Sequence, residues 1–244
     1  MDNLWRDQDA RGLEGIDLLV YRSRLIGRET RLVVWGGGNT SIKLQETDFR
    51  GRKTRVMRIK GSGSDLKTIE PKHFPGIRLD DLDPLRERPS MSDDEMVAYL
   101  VNCLMETGSP RPSIETLLHG FVPHAHIDHT HADAILGLTN TANGRRHVEA
   151  VYKDEAVWIP YRRPGFELSR EIALRTASMS AFSCFRVSGL LSKPTGSKRT
   201  TAVKPIVRGF NPRHIDRMKP ARPMTAKPMQ APLHKRAASG ASSS

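Results

Sequence analysis

The chain has 244 residues, of which 37% are hydrophobic and 6% aromatic, enough for one sizeable α/β domain or for a domain with an appendage. No run of about 18 apolar residues and no apolar stretch behind a basic start occurs, so we expect neither a transmembrane helix nor a secretory signal. The two cysteines, Cys103 and Cys184, lack CxxC spacing and cannot form a disulfide framework. A cytoplasmic protein is therefore expected.

The formal charge of +12 lies at one end of the chain. Residues 175–244 contain fourteen lysines and arginines against a single acid, Asp216, so the preceding residues are nearly neutral. This distribution does not favour a nucleic-acid partner for the folded part, although a basic tail can bind nucleic acid in a salt-sensitive way. Because the C-terminal segment is rich in Pro and Ser and lacks periodicity, we predict a folded domain over 1–178 and a disordered tail over 179–244.

Hydrophobic periodicity and turn residues predict alternating helices and strands up to about residue 178. A capping-box pair, Ser92 and Glu95, marks one helix start, and Ser113 is a candidate cap for a short helix. The predicted helices cover 16–27, 92–108, 112–122, 132–140 and 166–177. The predicted strands cover 30–35, 40–46, 54–60, 126–131 and 155–161.

Five of the nine histidines fall between His119 and His131. In "HIDHTHAD", His129 and His131 are two residues apart, so on an extended backbone they project from one face and can hold a divalent metal, with zinc the first choice. His124 and His126 have the same spacing, and spacing does not distinguish the two pairs. Histidines at the surface or hydrogen-bonded in the core are the alternative for each.

Glu115, just upstream, is a candidate metal ligand or general acid/base. The alternative is a solvated first-turn glutamate that interacts favourably with the helix dipole. Two loops of small residues, "GGGNTS" and "KGSGSDL", each follow a predicted strand and expose amides and hydroxyls that can bind a phosphate. Lys43 or Lys60 could assist there, although either loop alone is also explained as a tight turn.

The ordered motifs "GGGNTS", "SGSDL", "SIETLLH" and "HTHAD" resemble the class II aldolase/adducin family, most closely the aldolase part of the bifunctional rhamnulose-1-phosphate aldolase/alcohol dehydrogenase group. The resemblance covers about residues 3–174. It implies a three-layer α/β/α fold around a mainly antiparallel sheet, a homo-oligomer with sites at subunit interfaces, and a role in rhamnose or other carbohydrate metabolism. The residues it implies are an acid/base Glu115, metal ligands His129 and His131, and phosphate-binding Asn39, Ser62, Gly63 and Ser113.

The resemblance also implies a Zn²⁺ cofactor and a phosphorylated sugar substrate. The expected reaction is cleavage of a ketose 1-phosphate to dihydroxyacetone phosphate and an aldehyde. The metal would polarise the substrate carbonyl and stabilise the enediolate, while Glu115 moves a proton at the adjacent carbon. No membrane partner is expected.

One feature of the family pattern is missing from the sequence. Catalytic members use a third histidine in an "HG" turn well downstream, whereas the remaining candidates here are His147, in a predicted loop, and His214 and His234, in the basic tail. We therefore expect the C-terminal part of the domain to be truncated or altered, a hypothesis that reading the other coding frames past codon 175 would test. The alternative function is an inactive or adducin-like module that retains the fold.

Overall fold

The structure, a computed structural model, describes residues 3–153, 156–176 and 183–186, the last segment by its backbone alone. Its α-helices are α1 (Asp7–Ala10), α2 (Gly15–Arg28), α3 (Leu79–Leu82), α4 (Asp93–Asn102), α5 (Thr116–Phe121), α6 (Asp133–Thr139), α7 (Gly144–Tyr152) and α8 (Phe166–Thr176). Short 3-10 helices cover Pro71–His73 and Asp83–Arg86. The strands are β1 (Asn39–Thr47), β2 (Lys53–Ile59), β3 (Gly76–Arg78), β4 (His126–His129), β5 (Ala156–Ile159) and β6 (Ser183–Arg186).

Four strands form an antiparallel sheet in the order β3-β2-β1-β4. The central strand β1 pairs with β2 along most of its length, and its first four residues also pair with β4. Residues directly opposite each other on antiparallel strands share a face, so Asn39 and His129 project together, as do Thr40 and Asp128. The strands β5 and β6 form a separate parallel pair.

Helices cover both faces of the sheet. On one face, α2 packs against β1 through a cluster that includes Leu19 and Ile42. On the other face, Met57 of β2 packs in a second cluster with side chains of α3, α4, α5 and α8, among them Leu117 and Phe166. Full burial of side chains of this size stabilises the fold by about 1.5–3 kcal/mol each. The predicted three-layer arrangement of helices around a mainly antiparallel sheet is therefore confirmed.

Local differences from the predictions have identifiable causes. The apolar run 30–35 is not a strand, because the Glu29 carbonyl accepts hydrogen bonds from the amides of Leu32 and Val33 and the chain turns. Gly36 and Gly38 then adopt positive φ angles of 71° and 65°, which favour glycine and continue the turn. The capping box at Ser92 is confirmed, but α4 ends at Asn102 instead of near residue 108.

Two further points concern the C-terminal half of the chain. His147, predicted to lie in a loop, lies on α7, which buries Gly144 and Val148, two residues about one helical turn apart. The proposed boundary at 178 and nearly all of the basic tail over 179–244 lie outside the described residues, so the two-part organisation stays a prediction. Among the described helices, none is long and apolar enough to span a membrane.

Candidate active site

Three predicted site residues meet where β1, β4 and the start of α5 come together. Asn39 lies opposite His129 in the strand register, and Glu115, the N-cap residue of α5, reaches the same face of the sheet. Asn39 Nδ2 donates a hydrogen bond of 2.8 Å to Glu115 Oε2, and His129 Nδ1 lies 3.2 Å from that oxygen. The Asn39 amide thus fixes the carboxylate beside the imidazole.

His131 lies next to this group, two residues beyond the end of β4. Its ring centroid is 5.2 Å from that of His129, and its backbone N–H donates to the Leu32 carbonyl. A Cβ atom built on Gly37 would lie 3.5 Å from His131 Nδ1, so the "GGGNTS" loop passes directly beside this ring. That distance is an ordinary van der Waals contact, so the ring and the loop backbone are direct neighbours.

The other histidine pair lies in a different environment. His126 of β4 projects to the face that α2 covers, where its Nδ1 is 2.7 Å from a terminal nitrogen of Arg22. The Arg22 Nε atom is 2.8 Å from Asp128, and its second terminal nitrogen donates to the Ser41 carbonyl. Burial, with a smaller contribution from the Arg22 charge, lowers the pKa of His126 to about 4. Two histidine pairs were predicted as possible metal ligands, and the pair of His129 and His131 is the one that lies beside Glu115.

The small-residue loops and the segment before α5 are linked to one another. The Ser62 amide donates to the Arg111 carbonyl over 2.9 Å, and the Glu115 amide donates to Ser113 Oγ over 3.2 Å. The Gly36 amide donates to Asp65 over 2.7 Å, which joins the "GGGNTS" loop to the "GSGSDL" loop. Gly63 has a φ of +83° and so favours glycine. The structure brings all four predicted phosphate-binding positions to one end of the sheet.

Lys60 is a site residue to which the sequence reading gave only an optional role. Lys60 directly follows the last residue of β2 and precedes "GSGS". Its side chain is 5% exposed, and its Nζ atom donates a hydrogen bond of 3.3 Å to the Gly36 carbonyl. The pKa of Lys60 is lowered, because the effect of burial exceeds the opposite effect of the carboxylates of Asp65 and Glu115. A cation between two glycine-rich loops suits an anionic ligand. The useful sequence signal was a lysine at the junction of a buried strand and a small-residue loop.

His119 is a second buried residue to which no role was given. It has no solvent exposure, its Nδ1 lies 2.7 Å from Ser41 Oγ, and its ring centroid is 6.2 Å from that of His129. Burial, with a smaller effect from His129, lowers the pKa of His119 to about 3, so the ring is neutral near neutral pH. Its position four residues after Glu115, one helical turn on, was the signal available in the sequence.

The donor atoms at this end of the sheet suit a metal ion in kind. Imidazole nitrogen and carboxylate oxygen are zinc ligands, and with Zn–N bonds of about 2.0–2.1 Å two imidazoles that share one zinc have centroids at most about 6.5 Å apart. Asn39 Oδ1 is buried without a hydrogen-bond partner within the described residues, a pattern typical of positions that a ligand or water completes. Within the described ranges, no group of three or more His, Cys, Asp or Glu side chains already converges on one point.

Comparisons with known proteins agree with this geometry. A model of the "Class II Aldolase and Adducin N-terminal domain" matches residues 17–186. The chain belongs to the class II aldolase and adducin family. The match extends past residue 174, where the motif resemblance ended, and includes β5, α8 and β6.

Two known proteins show how much of this chain and of its relatives the similarity covers. The structure titled "N-terminal Class II Aldolase domain of a conserved protein from Thermoplasma acidophilum" is 40% identical, with a TM-score of 0.70 over 75% of this chain and 84% of that one. The "Uncharacterized oxidoreductase YuxG" of Bacillus subtilis (strain 168) is 51% identical over 172 residues, which are 70% of this chain and 25% of that protein. The chain thus spans about a quarter of YuxG. The finer resemblance to the rhamnulose-1-phosphate group is not confirmed.

Proposed function

We propose that the chain is a zinc-dependent aldolase that cleaves a ketose 1-phosphate, of the rhamnulose-1-phosphate kind, to dihydroxyacetone phosphate and an aldehyde. The observation that carries the proposal is the contact of Glu115 with both Asn39 and His129 at the end of the sheet where the glycine-rich loops meet. Family membership supports an aldolase-like function, and the substrate and metal are our additions.

His129 and His131 are the proposed zinc ligands. Both rings lie on the Glu115 side of the sheet, and their separation of 5.2 Å suits a shared ion. When bound, zinc acts as a Lewis acid that polarises the substrate carbonyl. The third family histidine has no counterpart that we can place within the described residues, since His147 lies on α7 and His214 and His234 lie outside them.

Glu115 is the proposed acid/base. Aldol cleavage leaves an electron pair on the carbon next to the carbonyl, and a carboxylic acid within reach can supply the proton that this carbon needs. The Asn39 amide donates to one carboxylate oxygen and so fixes the direction in which the other points. In the reverse direction the carboxylate removes the same proton. The contact therefore supports proton transfer at a single defined position.

The loops are the proposed phosphate site. The amides of Gly61 and Ser62 already donate to protein carbonyls, so we assign phosphate binding to the Asn39 and Ser113 side chains, the Ser62 hydroxyl and the Gly63 amide. Lys60 adds a buried positive charge beside these groups. Holding the phosphate fixes the reacting carbons relative to Glu115, and such positioning lowers the barrier by several kcal/mol. A homo-oligomer in the cytoplasm is part of the same proposal.

The test is an assay of dihydroxyacetone phosphate release from rhamnulose, fuculose and ribulose phosphates by the zinc-supplemented full chain. We expect release from at least one ketose 1-phosphate, and its loss in Glu115→Ala. Release by Glu115→Ala at the wild-type rate would refute the assignment of the acid/base. No release from any of the sugars by folded, zinc-loaded protein would favour the alternative, a non-catalytic module that retains the fold.

A further inference from the structure

Two side-chain contacts join α5 to β1, and the distance between the two contacts is similar along the helix and along the strand. Glu115 contacts Asn39 over 2.8 Å, and His119 contacts Ser41 over 2.7 Å. Four residues along a helix rise about 6.0 Å, and two residues along a strand rise about 6.6–6.8 Å. Because these intervals nearly agree, helix and strand can be held at both points without distortion.

The inner contact is fully enclosed, while the outer one opens to the site. His119 and Ser41 have no solvent exposure, whereas the Glu115 side chain is 17% exposed. The hydrogen bond between the His119 ring and the Ser41 hydroxyl is thus shielded from water and lies behind a group that reaches solvent.

The His119 ring also lies close behind the rest of the site. Its centroid is 6.2 Å from that of His129, with the ring planes tilted by 40°, and His129 in turn lies against Glu115. Glu115 begins α5 and has helical turns on one side only, so a small shift of this six-residue helix along β1 changes its distance to both Asn39 and His129. Displacements of about 1 Å at an acid/base can cost about 10²-fold in rate.

We infer that His119 and Ser41 are positioning residues, whose hydrogen bond sets the register of α5 on β1 and thereby holds Glu115 against Asn39 and His129. The value of this placement rests on the proposed function, because it matters to catalysis only if Glu115 is the acid/base. The placement itself is a property of the zinc-free chain and is measured without any substrate.

The experiment records long-range ¹H–¹⁵N spectra of the histidine rings in the zinc-free full chain. Glu115→Gln marks where the His129 resonance moves when its carboxylate neighbour is neutralised. Ser41→Ala removes the hydroxyl partner with little change in volume, His119→Phe removes the imidazole, and His147→Phe is the matched control at an exposed position on α7. A second readout is kcat against KM for the zinc-loaded variants.

We expect Ser41→Ala and His119→Phe to move the His129 resonance toward its Glu115→Gln position, and His147→Phe to leave it in place. If the chain is active, kcat falls about tenfold or more in Ser41→Ala while KM changes little. An unchanged His129 resonance in folded Ser41→Ala overturns the inference, and this variant decides the matter should His119→Phe not fold. If the spectra change as expected but the wild-type chain is inactive, the placement of Glu115 is supported and only the proposed function is contradicted.

Discussion

The two faces of β4 differ in the kind of group that their charged side chains contact. On the α2 face, Arg22 uses its three nitrogens to contact His126, Asp128 and the Ser41 carbonyl, and it is 4% exposed. On the α5 face, Glu115 contacts the Asn39 amide over 2.8 Å and lies 3.2 Å from the His129 imidazole. Neighbouring residues of one short strand thus contact a buried arginine on one side and a carboxylate on the other.

This difference distinguishes polar groups that hold the fold together from polar groups that are proposed to bind a ligand. Through its contacts with His126, Asp128 and the Ser41 carbonyl, the buried Arg22 side chain holds α2 on the sheet. A site that binds a metal and a substrate must leave donor and acceptor atoms for them, at a cost to the empty protein. The same "HIDH" segment therefore supplies a clamp through His126 and Asp128 and one residue of the proposed site, His129.

The largest expected effect is on catalysis, from Glu115→Gln. Removing a general acid/base costs about 10²–10⁴-fold in kcat, while the amide has the same shape and leaves the unfolding free energy within about 1 kcal/mol. The measurement is dihydroxyacetone phosphate release beside urea unfolding. A variant that loses stability and retains kcat would place Glu115 with the structural groups.

Arg22→Met is expected to show the opposite pattern. It leaves Asp128 without its cation, and breaking a buried pair by removing one partner destabilises by about 3 kcal/mol or more. Urea unfolding measures the effect, and Arg28→Met, at an exposed position on the same helix, is the control, with a change within about 0.5 kcal/mol. Equal stabilities of the two variants would show that the α2-face network is not the clamp described above.

Lys60→Met is expected to weaken phosphate binding. A hydrogen bond to a charged group contributes about 1.5–3 kcal/mol, so inorganic phosphate should compete with substrate at least about tenfold less well. Lys67→Met removes an exposed charge from the same loop and should change the inhibition constant far less. Identical inhibition constants for wild type and Lys60→Met would remove Lys60 from the site.

The last expected effect is a pH dependence of stability. The folded-state pKa values of His119 and His126, about 3 and about 4, lie below the usual 6.5, so between these values the unfolded chain binds more protons. Stability contributed by the neutral rings is present above about pH 6.5 and is lost as pH falls, by up to about 1.4 kcal/mol per pH unit for each ring. His119→Phe should flatten the unfolding free energy between pH 6.5 and 4, and an unchanged slope would contradict this account.

Much of the site could be predicted because its residues follow local rules. The alternation of "HIDHTH" predicted a shared face, and the strands that end in small residues predicted two anion-binding loops. The face that each histidine occupies could not be predicted, since β1 and β4 are far apart in sequence and their register decides it. His119 was missed, and Lys60 was predicted only as an optional helper, because a single lysine or histidine in an apolar context has no local pattern that reveals its neighbours.

For the fold as well, features set by the local sequence could be predicted, and features set by contacts between distant residues could not. The start of the capped helix α4 and the strands with clear alternation were predicted within a few residues, whereas α4 ends at Asn102 instead of near residue 108. The run 30–35 has strand-like composition, but its backbone bonds back to Glu29 and its apolar side chains divide between core and solvent, with Val33 buried and Trp35 87% exposed. Tertiary packing overrides β propensity at such a site.

The zinc content of the purified full chain tests the central claim most directly, compared with His129→Ala and His126→Ala measured side by side. The account predicts near-stoichiometric zinc in the wild type and in folded His126→Ala, and its loss in His129→Ala, because the sheet separates the two histidines. Absence of zinc from the zinc-supplemented wild type, or its loss on removal of His126 and retention without His129, would contradict the account.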